Sequence, residues 1–349
     1  MKRRTLLLIG IPVLLIFIIV ILVVFFQEQT ITPNKNYLSL EYCFSEHREG
    51  VWTVKFSPDN KYLASAGIDS SVIIRDLASR KPVYVLKQAA GITGFDYSPD
   101  GRFIVTSAYD GIVRLWSIED QKLLKQFKGH VGTVWTVAMS PDGKSIASAG
   151  DDKIIRIWDV ATGKLKYQLK GHQLTIWYLT FSPDGIQLAS SSFDKLIKLW
   201  DPKTGTLIRT LEGHTEAVTA LAYCRDGQTL ASTSDDKTIK LWNVNNGHLK
   251  KNLLHGHEHV QAVAFSPDGK RLITGGRDHS NIGELVQNLL GEKAAGKGIS
   301  MRLWDLRSGK VLQEIKYHLD DVNDLAWSND GTWISSASAD RSVALWRVN

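Results

Sequence analysis

GHVGTVWTVAMSPDGKSIASAGDDKIIRIWDVATGKLKYQLK, residues 129–170, runs directly into GHQLTIWYLTFSPDGIQLASSSFDKLIKLWDPKTGTLIRTLE, residues 171–212. Both stretches open on Gly-His, turn at Ser-Pro-Asp-Gly, turn again at Asp-Lys, and then reach Trp-Asp. The repeat length is therefore about 42 residues. Between the turn signals lie four short runs rich in β-branched and aromatic residues, the composition of β-strands. A sheet of four short strands has two apolar faces that it cannot cover by itself. Stacking such sheets around an axis covers them, which makes each unit one blade of a propeller.

The pattern continues outward in both directions. Turn aspartates fall at Asp69, Asp110, Asp152, Asp194, Asp236, Asp278 and Asp340, which sets seven units. Four residues before each stands a hydroxyl: Ser65, Thr106, Ser148, Ser190, Ser232, Thr274 and Ser336. Twenty-two residues before the aspartate comes His47, His130, His172, His214 or His318, with His257 one place closer in the sixth unit and Gln88 in the second. Six residues after it comes Trp116, Trp158, Trp200, Trp242 or Trp346, while the first unit has Arg75 there and the sixth reaches Trp304 only after an insertion.

In this spacing of Gly-His, Asp and Trp-Asp the chain resembles the WD-repeat family over about residues 37–349. The resemblance implies an all-β, seven-bladed β-propeller of four-stranded blades, each pinned by a buried hydrogen-bonded tetrad. The tetrads would be His130, Ser148, Asp152 and Trp158 in blade three, His172, Ser190, Asp194 and Trp200 in blade four, and His214, Ser232, Asp236 and Trp242 in blade five. Blade one lacks the Trp and blade two the His, so those two are expected to be the least well held. The last unit ends at its third strand, Leu345 to Asn349, and Tyr37 to Phe44 lines up with a fourth strand. That segment is expected to pair with the last blade and close the ring, removing open sheet edges.

Composition narrows the function. Hydrophobic residues make up 43% and charged ones 22%, which excludes wholesale disorder. The net charge of +6 is scattered along the chain and forms no basic stripe, so nucleic acid is not an expected partner. Cys43 and Cys224 fall in different blades, too few and too far apart for a disulfide framework, and read as small buried hydrophobes.

Ser, His and Asp together suggest a hydrolase, but a nucleophile needs one exposed site beside an oxyanion hole, and no G-x-S-x-G elbow is present. Recurrence in nearly every blade makes these residues structural, so no catalytic residue is expected. Gly291 to Gly298 imitates a phosphate loop but ends in glycine where Ser or Thr would meet magnesium. No metal spacing occurs, and no cofactor is expected.

In the family, the loops carrying His and the turn Asp open onto one face, the top, which usually binds peptides. The resemblance puts two sets of residues there: Trp52, Thr93, Trp135, Trp177, Thr219, Gln261 and Asn323, and Ile68, Tyr109, Asp151, Phe193, Asp235, Arg277 and Ala339. Polar residues at the Trp-equivalent places of other blades suggest that the position is exposed; the alternative is that the tryptophans are core. On the first reading Trp52, Tyr109, Trp135, Trp177 and Phe193 form an aromatic arc over blades one to four, with Asp151, Asp235 and Arg277 as polar contacts. Such anchors suit a protein or peptide partner. A carbohydrate-binding or hydrolytic propeller is the alternative. The blade-six insertion, residues 279–298, leaves the same face as a lid or second contact surface, or as a loop without a role.

Thr5 to Phe26 is about 22 residues without a charge, long enough at 1.5 Å each to cross a bilayer. A cleaved secretory signal has a shorter apolar core and a small-residue cleavage site, so an uncleaved signal anchor is expected over residues 1–26, followed by a polar tether over 27–36. Lys2, Arg3 and Arg4 precede the helix, which keeps the N-terminus cytoplasmic and places the propeller outside the cytoplasm. The chain has no N-x-Ser/Thr sequon, which leans towards a bacterial source. Carbonate-washed membranes should retain the full chain and release a version that starts at residue 36; finding the full chain in the wash would overturn the anchor.

Overall fold

The computed structural model describes residues 36–254, 256, 259–278 and 299–349, without the side chains of 277 and 278. The expected anchor, nearly all of the tether, His257 and the insertion 279–298 lie outside the described residues, as does the side chain of Arg277. Among the described residues no helix is long and apolar enough to cross a membrane. The chain divides into two units, Met1–Tyr37 and Leu38–Asn349, and the second is the propeller.

Seven antiparallel sheets of four strands each make up this unit. Six blades are built from four consecutive strands. The seventh takes three strands from the end of the chain and its outermost from the start: Leu38–Phe44 lies against Val343–Val348, from Leu38 opposite Val348 to Phe44 opposite Val343. The expected closure is present, beginning one residue later than the sequence suggested.

Blade three shows why these residues form strands. Ser145–Gly150 and Ile154–Asp159, the second and third strands, are buried almost throughout, whereas Leu165–Lys170, the outermost, is mostly exposed. A strand packed on both faces is apolar or small throughout, and one at the rim alternates. The core accordingly lies between blades: Val113, Leu115 and Phe127 of blade two pack with Val137, Ile146 and Trp158 of blade three. Cys224 is buried as expected, but Cys43, on the outermost strand of the last blade, is exposed, and both thiols are free.

The turn between second and third strands puts Lys153, Lys195, Lys237 and Arg341 in the left-handed region, with φ between 64° and 73°. The preceding aspartate makes this tolerable by accepting the amide two residues on, as Asp236 Oδ1 does from Thr238 at 2.9 Å. The same carboxylate is thereby aimed at the histidine. In blade four, Asp194 Oδ2 accepts from His172 Nδ1 at 2.8 Å, which leaves Nε2 to accept the Ser190 hydroxyl proton at 2.7 Å, while Ser190 Oγ accepts from Trp200 Nε1 at 2.9 Å. Blade five repeats this with His214, Asp236, Ser232 and Trp242, at 2.8, 2.7 and 2.8 Å. In blade three His130 reaches Asp152 at 3.1 Å and Ser148 at 2.8 Å, and Trp158 reaches Ser148 at 2.8 Å.

The two divergent blades are not alike. In blade one the fully buried Arg75 occupies the tryptophan's place and restores the set: Nη1 donates to Ser65 Oγ at 2.9 Å, and His47 bridges Ser65 and Asp69. Its Nη2 donates to Glu46 at 2.9 Å, and its guanidinium lies 4.8 Å over the Phe44 ring, so Arg75 also ties blade one to the closing segment. The expectation that blade one is poorly held is corrected by this substitute. In blade two the set is interrupted: Trp116 donates to Thr106 and Thr106 to Gln88, but Asp110 pairs with Arg114 instead.

Burial works against ionisation of Asp152, yet hydrogen bonds and charge from His130, Arg156 and the Val131 amide outweigh it and hold the carboxyl at about 2. Asp69, Asp194, Asp236 and Asp340 are lowered in the same way, and burial outweighs Asp236 in holding the His214 imidazole below its usual value. Every one of these groups binds protons more readily in the unfolded chain, so each favours folding at neutral pH and loses that contribution as pH falls. Stability measured by denaturant should therefore decline from about pH 6 and steeply below about pH 4; a flat profile from pH 7 to 3 would contradict it. Arg75→Met removes a buried charge partner and should destabilise the ring by about 2–4 kcal/mol, read as a lower melting temperature. An unchanged melt would reduce Arg75 to a space-filler.

Candidate functional site

Each blade's first strand lines the central channel, and in each its second residue interrupts the ladder: the register shifts between Val51 and Thr53, Val134 and Thr136, Ile176 and Tyr178, and likewise in the other four. A bulge frees one residue from pairing and re-aims its side chain. Trp52, Trp135 and Trp177 are such residues, and so are Thr93, Thr219, Gln261 and Asn323.

The three tryptophans gather more tightly than along an arc. They converge from blades one, three and four, each half-buried, into a single cluster. Trp135 and Trp177 stack with centroids 4.6 Å apart, Phe193 stacks on Trp177 at 5.1 Å, and Trp52 meets both tryptophans edge-on at 6.1 and 6.2 Å. Tyr109 packs edge-on to Trp135 at 5.5 Å and its hydroxyl accepts from Trp52 Nε1 at 3.0 Å. Asp151 accepts from Trp135 Nε1 at 2.7 Å and from the Thr133 amide at 3.0 Å. Tyr109 and Phe193 remain 37% and 38% exposed, so the cluster is a surface feature with a buried inner side. The five residues read from the sequence as one aromatic group do come together, with the tryptophans half-buried.

The polar residues at the equivalent places behave differently, which corrects the inference drawn from them. Thr93 and Thr219 are buried, their hydroxyls donating to the Val134 and Val260 carbonyls of the next blade, and Asn323 Nδ2 donates to Val51 O at 2.9 Å. A short polar side chain reaches the neighbouring blade's carbonyl, whereas an indole must lie across the opening.

Below the cluster is a cavity of about 50 Å³, lined among others by Trp52, Lys55, Tyr178 and Asp324. Thr93, Thr219, Gln261 and Asn323 also line it, but Thr53, Lys55, Thr136 and Asp324, and Asp96 bonded to Lys55, were not singled out from the sequence. Lys55 Nζ donates to Asp96 at 2.8 Å, Asp96 accepts the Met139 amide at 2.9 Å, Thr136 accepts the Leu179 amide at 3.1 Å, and Asp324 accepts from Thr53 Oγ1 and Val54 N at 2.9 and 3.0 Å. These bonds link blades seven, one, two, three and four around the channel. Burial raises the Asp324 carboxyl, partly offset by Lys55, while Asp96 outweighs burial and keeps the Lys55 ammonium charged. The available signal was the place of these residues: third or fifth in a first strand, where blades five and six carry alanine.

Across the channel mouth, blades five to seven bring Glu216, Asp235, His259 and Asp321 together. His259 Nε2 lies 3.3 Å from Asp321 Oδ1, and Glu216 lies 3.4 Å from Lys195 of blade four. Asp235 holds on blade five the place that Phe193 of the cluster holds on blade four. Burial and the nearby Glu216, Asp236 and Asp321 hold its carboxyl above the usual range despite His259. Among the described residues no group of three His, Cys, Asp or Glu is placed to hold a metal ion.

Seven blades, tetrads at the blade tops and a half-exposed aromatic cluster over the channel define a repeat propeller with a structured top face. Comparison with known proteins gives its family. The model described as "WD domain, G-beta repeat" matches residues 38–76, 80–117, 121–159, 163–201, 205–243, 248–280 and 309–347, and the chain belongs to that family. Pre-mRNA-processing factor 19 homolog 2 of Arabidopsis thaliana is 26% identical over 111 residues, 31% of this chain and 21% of that protein. Actin-interacting protein 1 of Drosophila melanogaster is 33% identical over 85 residues, 24% of this chain and 14% of that protein. Pre-mRNA-processing factor 19 of Oryza sativa subsp. japonica is 24% identical over 102 residues, 28% of this chain and 19% of that protein. The matched stretches span about a fifth or less of these relatives' lengths.

Proposed function

We propose that this chain is a membrane-anchored scaffold that offers the top face of its propeller to a protein or peptide outside the cytoplasm, with no reaction of its own. Family membership supports the interaction role, as does a relative named for interacting with actin. The anchor and the topology rest on the run Thr5 to Phe26 and the basic residues before it.

The observation that carries the proposal is the cluster of Trp52, Tyr109, Trp135, Trp177 and Phe193. Large aromatics held in place by stacking and by two indole hydrogen bonds, yet open on one side, have the make-up of a binding anchor: apolar area with few side-chain rotamers to freeze. The geometry disfavours the two alternatives. Sugar binding uses an open ring face, and Trp177 has Trp135 on one face and Phe193 on the other. A hydrolase needs an accessible nucleophile, and Ser148, Ser190, Ser232 and Ser336 are fully buried.

Affinity purification of the full chain from solubilised membranes, wild type against Trp135→Ala/Trp177→Ala, tests this once circular dichroism and melting show both to be folded. A protein recovered with wild type should be lost with the variant, which lowers affinity roughly 30-fold or more. If the same proteins accompany both, the cluster is not the anchor and the proposal fails.

A further inference from the structure

Asp151 and Asp235 occupy the same place on blades three and five, each just before its turn aspartate. Their carboxylates are used differently. Asp151 is committed to Trp135 Nε1 and the Thr133 amide. Asp235 accepts no hydrogen bond from any described residue, and its prominent neighbours are acidic: Glu216, Asp236 and Asp321, relieved only by His259. The cause is local. Blade five carries Thr219 where blade three carries Trp135, and the Thr219 hydroxyl is spent on the Val260 carbonyl, so nothing of blade five reaches back to Asp235.

The aromatic column ends on the blade next to this carboxylate. Phe193 holds on blade four the place that Asp235 holds on blade five, and the Lys195–Glu216 pair crosses the same gap. Among the described residues the top face thus has an apolar part over blades one to four and, around His259, an acidic part over blades five to seven. Within the column Trp177 is stacked on both faces, by Trp135 and by Phe193, so it has its ring edge to offer, and its indole N–H donates to no described residue. Ring edges carry the positive end of the aromatic quadrupole and suit carbonyl oxygens and aliphatic side chains.

We propose that the partner segment is cationic and apolar: it lays an aliphatic side chain and a backbone carbonyl against the column of Trp135, Trp177 and Phe193, and places a lysine or arginine on Asp235 and Asp321. This rests on the top-face reading and adds the chemistry of the partner. A cationic side chain supplies a charge-assisted partner that no described residue other than His259 offers Asp235, and such a hydrogen bond in a half-buried setting is worth more than one in open water. An acidic segment meets like charge at the same place and is rejected.

The test uses the full chain, immobilised in detergent, and four pools of fluorescein-labelled hexapeptides, uncharged at every place except the fourth, which is lysine, arginine, norleucine or glutamate. Wild type should retain the lysine and arginine pools at least about tenfold better than norleucine, with glutamate weakest. Asp235→Asn/Asp321→Asn should abolish the preference. Trp177→Ala should lower retention of every pool. Equal retention of lysine and norleucine by wild type overturns the inference, as does a preference that survives in the double variant. If Trp177→Ala still loses all pools in those cases, the top-face reading stands without it. Retention of no pool also overturns the inference, and the co-purification experiment then judges the top-face reading alone.

Discussion

The pairing of Leu38–Phe44 with Val343–Val348 is the constraint on which the molecule depends. A blade buries its faces only against two neighbours, so an open arc of seven would leave two apolar faces and an unpaired edge in water. Joining the first strand of the propeller to the last blade turns those faces into one more inter-blade core. Phe44 shows the exchange directly: it packs with Val51, Val54 and Leu63 of blade one and with Val343 and Leu345 of blade seven. The closure is therefore a seam in the core as well as a hydrogen-bonded ladder.

The closed ring needs its blades held at fixed angles, and two sets of polar contacts do this at different radii. The tetrads act within a blade, tying the loop before the first strand to the turn after the second and to the tryptophan of the third. The channel bonds act between blades, from Asp324 to Thr53, Lys55 to Asp96, and Thr136 to Leu179. Both sets are buried polar groups with partners, the condition under which such groups specify a structure instead of weakening it. Arg75 belongs to both kinds, completing the blade-one set and reaching Glu46 and Phe44 at the seam.

The top face follows from the same architecture. A bulge at the second residue of every first strand frees seven side chains at the channel mouth, and their size decides what they do. Threonine and asparagine turn sideways to the next blade and strengthen the ring, while tryptophan cannot fit there and gathers over the opening with Tyr109 and Phe193. Among the described residues, the division of the face into an aromatic and an acidic part is the result of which blades carry which residue, on a scaffold that treats all seven alike.

Much of this was legible in the sequence, because each blade is written locally. The repeat of about 42 residues, the turn residues and the Trp at a fixed offset set strand number, blade number, the tetrads and the closure, since contacts within a blade join residues at most some 30 positions apart in a regular repeat. What the sequence could not set were contacts between blades, where the separation is large and the partner depends on angles around the ring. It missed that Arg75 stands in for tryptophan, that Thr93 and Thr219 serve the ring, that Lys55, Asp96 and Asp324 join neighbouring blades around the channel, and that three tryptophans 42 to 125 residues apart pack at one point. The repeat fixes what each blade must bury; only closure of the ring decides which side chains from different blades meet, and so which of them are left to face a partner.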